Sequence, residues 1–282
     1  MNRTIVFSHA NSFPAGTYRK LFAHWAAAGW RVLAPDKLGH DPAWPVASNW
    51  RPTRNELIHF IERSGLQGPA YLVGHSLGGY LSLLVACRRP ELAAGVVLLD
   101  SPVLGGWRAR SVRMLKATRL MGQVSPSRVS QRRRHHWPSA DAVRQHFEAK
   151  RSFARWDAAV LGDYLASGFE PDPQGGLRLG FRREVESRLY DTVPDHLDAV
   201  LRLHPPRCPV AYIGGTQSTE GRQVGLEATR RLVRERLEWI EGSHLYPMEQ
   251  PALTAAAVLR QLESMAEPPA APKRALRNAA AT

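Results

Sequence analysis

Three features of the sequence predict an α/β fold, with a mainly parallel sheet of about six strands interrupted by a helical insertion. Short apolar, β-branched runs alternate with amphipathic helical stretches over the first hundred residues, and the alternation resumes after residue 205. The run at 96–99 is continuously apolar, as in a strand covered on both faces of a parallel sheet. Between the two alternating parts lie about a hundred residues without such runs, which is too long for a loop.

The elements follow in order. Residues 4–7 form a strand that runs into the loop His9-Ala10-Asn11-Ser12-Phe13-Pro14. Tyr18, Leu21, Phe22 and Trp25 share one helical face, and Gly29 is placed to end that helix. Residues 30–34 form the next strand, closed by Pro35 and a turn around Gly39. Thr53 and Glu56 have the spacing of a capping box, so a helix is expected to begin there. Residues 70–73 form a strand, 77–89 a helix stopped by Pro90, and 96–99 a strand. After the insertion come a strand at 210–213, a helix at 226–233, a strand at 237–240 and a final helix from Pro251 to Met265. The sequence therefore divides into a core (1–103 and 206–265), a helical cap (104–205) and a Pro/Ala-rich tail (266–282) expected to be disordered.

Composition narrows the function classes. The chain has 282 residues, of which 44% are hydrophobic, so it packs a globular core. Its two cysteines, Cys87 and Cys208, exclude a disulfide scaffold and point to a reducing, cytoplasmic setting. No apolar run is long enough to span a membrane, and the start MNRTIVFSHANS has too short an apolar core for a signal peptide. With 38 basic and 25 acidic side chains, the net charge of +13 leaves three partners to weigh: nucleic acid, an anionic surface or an acidic substrate.

The chemistry concentrates in Gly74-His75-Ser76-Leu77-Gly78-Gly79, which follows a predicted strand and opens a predicted helix. A Gly-x-Ser-x-Gly turn in that context exposes a hydroxyl at the top of a sheet, and its glycines make room where side chains would collide. Ser76 is the candidate nucleophile, and the Leu77 N–H at the helix start is a candidate oxyanion donor. A base on a loop after the last strand is supplied by His244, in Glu241-Gly242-Ser243-His244-Leu245-Tyr246-Pro247-Met248.

On these motifs the chain resembles the α/β-hydrolase superfamily over residues 3–102 and 206–264, with the middle matching only as a variable cap. The usual amino-terminal antiparallel hairpin is missing. The resemblance implies that His9-Ala10-Asn11 is the oxyanion loop, with the Asn11 N–H as second donor and His9 bracing the loop. His75 is read as structural. It also implies an acid. In most of the family an Asp follows the strand equivalent to 210–213, but Ser218 takes that position here. A minority, including relatives of haloalkane dehalogenases, carry the acid at the end of the previous strand, where Asp100 stands. Asp100 and, as the alternative, Glu220 are the candidates for the acid.

The charge is concentrated. Residues 107–155 hold 11 Arg and 2 Lys against Asp141 and Glu148, a local balance of +11. No recognisable nucleic-acid-binding fold accompanies it, so the run reads as a solvated cap face or as a filter for anionic substrates. Trp107 and Trp137 are candidate substrate-binding residues among the cap's apolar side chains. No metal or cofactor is expected. The expected activity is a serine esterase acting on a small or medium carboxylic ester, as monomer or homodimer, with a C–C bond hydrolase or lactonase as alternatives. The alternative from another class is an inactive binding protein on the same fold.

Overall fold

The computed structural model describes residues 3–118, 121 and 126–266; the expectation for the tail, and for the part of the cap at 119, 120 and 122–125, lies outside them. The first half runs β1 (Thr4–Ser8), α1 (Arg19–Ala27), β2 (Arg31–Leu33), α2 (Arg51–Arg63), β3 (Ala70–His75), α3 (Leu77–Arg88) and β4 (Ala93–Leu99). Next come helices Gly106–Ala117 and Ser127–Arg132, the short strand β5 (His136–Trp137), and helices Ala140–Glu148 and Ala158–Ser167. Strands β6 (Phe169–Pro171) and β7 (Leu177–Leu179) follow, then helices Arg183–Asp191 and Leu197–Leu203. The chain returns through β8 (Val210–Gly215), helix Glu227–Val233, β9 (Leu237–Ile240) and helix Pro251–Ala266.

The main sheet has the order β2-β1-β3-β4-β8-β9, and every pairing is parallel. The six parallel strands expected from the apolar runs are therefore present. On β4, Val97 and Leu99 join one core while Val96 and Leu98 join the other, so both faces of the strand are buried. That is why its sequence shows no polar alternation. Chain order reverses direction between β1 and β3, which places a topological switch point beside the ends of those two strands. Gly29, at φ +80°, follows α1 as expected, because a left-handed residue there ends the helix without a Cβ penalty.

Two local expectations are corrected. The middle segment is mainly helical, but it also contains a three-stranded antiparallel sheet, β5-β7-β6. Strands of two and three residues are too short to carry a period in sequence. The capping box at Thr53 does not form. α2 begins earlier, at Arg51, with Pro52 in its first turn. The Glu56 carboxylate accepts the Gly39 N–H at 2.7 Å, while the buried Thr53 hydroxyl has no hydrogen-bond partner among the described residues. No helix among the described residues is long and apolar enough to cross a membrane.

Candidate active site

Five candidates for the chemistry stand just beyond the carboxyl ends of strands: Asn11 after β1, Ser76 after β3, Asp100 after β4, Glu220 after β8 and His244 after β9. Short strand-to-helix turns at that edge bring side chains from five distant segments together.

The turn at Ser76 is tight. Ser76 has φ 53° and ψ −115°, a conformation that costs on the order of 1–3 kcal/mol for a non-glycine residue. The glycines around it are obligatory. A Cβ at Gly74 would lie 2.2 Å from the Gly78 carbonyl group, and one at Gly78 would lie 1.9 Å from the Ser8 carbonyl oxygen. The turn is pinned from β4, where the Ser101 hydroxyl donates to the Ser76 carbonyl at 2.9 Å. Leu77 occupies the first position of α3, so its N–H has no acceptor within the helix.

The acid question has a clear geometry. His244 Nδ1 lies 2.6 Å from Asp100 Oδ2 and 3.8 Å from Glu220 Oε2. Asp100 is 1% exposed and accepts further hydrogen bonds from the Ser218 hydroxyl at 2.5 Å, the Tyr212 hydroxyl at 3.1 Å and the Gly215 N–H at 3.1 Å. The Ser218 hydroxyl, which follows β8, thus donates to the Asp100 carboxylate at the end of the neighbouring strand. Burial alone would push the Asp100 carboxyl up. The His244 and Ser218 hydrogen bonds, the His244 charge and the Gly215 N–H outweigh burial and hold it below the usual carboxylate range. Burial likewise works against a charged His244, but the Asp100 hydrogen bond and charge, helped by Glu220, raise it above the ordinary imidazole value. Asp100, Glu220 and His244 also bring ligand-type atoms within 4.8 Å of one another. A cation there would have to displace the four donors that already fill the Asp100 oxygens.

The two other histidines at the site are held neutral. His9 Nε2 accepts the Leu38 N–H at 2.8 Å, its Nδ1–H faces the Ala10 carbonyl at 2.9 Å, and burial lowers its pKa to about 4. His75 is fully buried, and its pKa is lowered to about 3 by burial and by the nearby His244. A relay runs through it. The Ala10 N–H donates to the Tyr18 hydroxyl at 3.2 Å, that hydroxyl donates to His75 Nδ1 at 2.8 Å, and His75 Nε2–H donates to the His244 carbonyl at 2.9 Å.

Ser76, His244 and Asn11 line a common cavity of about 550 Å3. Its outer wall comes from the middle segment and includes Val129, Ser130, Arg133, Lys150, Phe153, Glu186 and Tyr190. Asn11 ties the two walls together, because its Nδ2 donates to the Glu186 carbonyl at 3.1 Å. The Trp candidates are both corrected. Trp107 is 62% exposed, on a helix that buries little more than Ala109, and Trp137 is sealed among His146, Phe147 and Phe169. Neither lines the cavity. Sequence reasoning missed Arg133, Lys150, Glu186 and Tyr190; the amphipathic pattern of helix Arg183–Asp191, which buries Glu186 and Leu189, was the available signal for an inward-facing acid.

A family model described as "Alpha/beta hydrolase family" matches residues 5–257. The chain belongs to the alpha/beta hydrolase family. Among curated relatives, this α/β-hydrolase is 40% identical to Lipase LipV of Mycobacterium tuberculosis over 84 residues, 29% of this chain and 31% of that protein. It is 31% identical to the monoglyceride lipase of Mus musculus over 129 residues, 44% of this chain and 43% of the mouse protein. The matched stretches thus span less than half of either relative. Among solved structures, E-2-(acetamidomethylene)succinate hydrolase superposes with a TM-score of 0.69 at 21% identity, covering 92% of this chain and 91% of the other. The thioesterase domain from the curacin biosynthetic pathway superposes at 0.68 and 18% identity, covering 92% and 91%. At these identities the likeness is one of fold.

Proposed function

We propose that this α/β-hydrolase is a serine hydrolase cleaving a small or medium carboxylic ester through an acyl-enzyme on Ser76. The observation that carries the reading is the 2.6 Å contact between His244 and Asp100 beside a cavity that Ser76 and His244 both line. In the proposed reaction, His244 Nε2 takes the Ser76 Oγ proton as Oγ attacks the ester carbonyl. The Leu77 and Asn11 N–H groups hold the oxyanion, and the Asp100 carboxylate stabilises the imidazolium without itself taking the proton. Collapse of the intermediate breaks the bond to the alcohol, which leaves with the proton from His244. A water molecule, deprotonated by the same imidazole, then releases the acid and restores the Ser76 hydroxyl.

A fluorophosphonate tests the reading. The expected result is a single adduct on Ser76 in the folded protein, with loss of p-nitrophenyl butyrate turnover; no adduct would sink the enzyme reading and leave a binding protein. Offering ring-cleavage diketones and lactones alongside esters fixes the bond that is cut, and turnover of diketones without ester hydrolysis would move the assignment to a C–C hydrolase. The two free cysteines suit a reducing, cytoplasmic setting.

A further inference from the structure

Two cations reach the Ser76 cavity from the middle segment, Arg133 and Lys150. They differ in what already satisfies them. Arg133 Nη1 is paired with Glu186 Oε2 at 2.7 Å, and the other Glu186 oxygen accepts the Ser130 hydroxyl at 2.9 Å. That carboxylate is 4% exposed and fully engaged, so Arg133 is fixed in place with most of its donor fork left over.

Lys150 is half-buried and has no such partner. Its ammonium lies 4.7 Å from the centre of the Phe147 ring, and among the described residues it forms no ion pair within 4.0 Å. The charged group that acts on it is another cation, Arg133, which together with burial lowers its pKa. His146 beside it feels Lys150, Arg134 and Arg133 in the same sense. The remaining acid of the cavity, Glu220, belongs to the His244 side, 3.8 Å from Nδ1. The lining also includes the apolar side chains of Phe13, Phe153 and Leu245. Of the two cations lining the pocket, only Lys150 has no carboxylate paired with it among the described residues, and an unpaired ammonium beside apolar side chains is complementary to a short apolar chain ending in an anion.

We propose that Lys150, backed by Arg133, binds a carboxylate on the substrate, so that the preferred substrates are half-esters of dicarboxylic acids. The proposal rests on the serine-hydrolase reading and narrows it. It also gives part of the basic run a specific task inside the site, whereas the exposed arginines around it attract anions at longer range.

The test compares specificity constants for mono-p-nitrophenyl glutarate and the neutral p-nitrophenyl butyrate. The wild-type protein is expected to favour the glutarate ester, and Lys150→Met to lower the anionic-to-neutral ratio by about 10- to 100-fold. Lys150→Arg, which keeps the charge, should retain most of the ratio. Arg151→Met, at an exposed position outside the cavity, controls for net charge and should leave the ratio as it is. Calorimetry with glutarate on Ser76→Ala protein supplies a second readout, in which Lys150→Met weakens binding by a similar factor. An unchanged ratio in Lys150→Met, or an equal fall in Arg151→Met, overturns the proposal. Failure of the hydrolase reading is a different result: neither ester is turned over and Ser76 takes no fluorophosphonate, while glutarate binding still decides for or against the carboxylate site.

Discussion

Asp100→Asn is the substitution with the most to say about the chemistry. In the folded protein the carboxylate is 1% exposed and receives four donors, two of them on Oδ2, from His244 and Ser218. An amide keeps the shape but removes the charge, and it must turn an NH2 group toward two of those donors. Turned toward His244, it favours the tautomer with the proton on Nε2, which cannot accept a proton from Ser76. Turned the other way, it faces the Tyr212 hydroxyl and the Gly215 N–H. Either orientation also takes away the imidazolium's nearest counter-charge, leaving Glu220 at 3.8 Å. Wrong tautomer and lost charge together predict a fall in kcat/KM of three to four orders of magnitude, about 4–5.5 kcal/mol of transition-state stabilisation. Glu220→Gln alters a carboxylate that is 39% exposed and 3.8 Å from Nδ1, and should cost less than about 5-fold. Steady-state hydrolysis of p-nitrophenyl butyrate measures both, with thermal melting to verify that each variant is folded. If Asp100→Asn retains activity within tenfold, or if Glu220→Gln is the more damaging, the assignment of Asp100 is wrong.

Other expectations follow from the same geometry. Adding Ser218→Asp to Asp100→Asn should restore at least tenfold of the lost turnover, because the new carboxylate replaces a hydroxyl 2.5 Å from the old one; no gain in kcat/KM would show that the acid cannot be moved between strands. The proposed reaction needs neutral His244, whose pKa is raised, so kcat/KM should climb with pH through a midpoint above the ordinary imidazole value of 6.5. A midpoint at or below that value in a pH–rate profile would contradict the Asp100 interaction. Stability should fall on acidification. His9, His40 and His75 have folded pKa values lowered to about 4, 4 and 3, so below pH 6.5 the unfolded chain takes up three protons that the folded one refuses. Glu56, raised to about 7, acts in the opposite sense, since the folded form binds its proton first. Near pH 5.5 these four groups together make the unfolded chain bind roughly two more protons than the folded one, a loss on the order of 2 kcal/mol per pH unit, and equal denaturant midpoints at pH 7 and pH 5 would refute it. Gly78→Ala places a methyl 1.9 Å from a backbone oxygen and should destabilise by on the order of 3 kcal/mol or more, read as a lowered melting temperature.

Much of the core was legible because its physics is local. The run at 96–99 is apolar without alternation because its residues feed both hydrophobic cores, and Gly74 and Gly78 are glycine because the turn has no room for a Cβ. His244 was readable from its place after β9. What stayed hidden depends on contacts between distant segments. Glu56 matches a capping pattern, yet its carboxylate is drawn to the Gly39 N–H across the fold. Trp137 and Trp107 look alike in sequence; one ends inside an aromatic cluster and the other in solvent, which is decided by how the short strands of the middle segment pair. The density of Arg132-Arg133-Arg134 was plain, but the inward turn of Arg133 depends on Glu186, 53 residues away.

The relay from Ala10 through Tyr18 and His75 to His244 has a consequence for how such a protein changes its diet. It fastens the loop after β1, the turn after β3 and the loop after β9 into one rigid frame, and every residue in it comes from the two core portions of the chain. The middle segment supplies the outer wall of the cavity and meets the loop after β1 through Asn11 and through Phe13, which packs on Trp156 and Tyr164. The residues proposed to cleave the bond therefore come from the core portions, whereas much of the wall around the substrate comes from the middle segment. On the proposed reading, a new middle segment grafted between β4 and β8 is expected to change what is admitted while Ser76, Asp100 and His244 keep their places, provided that it again offers Asn11 a carbonyl and covers Phe13 as Trp156 and Tyr164 now do.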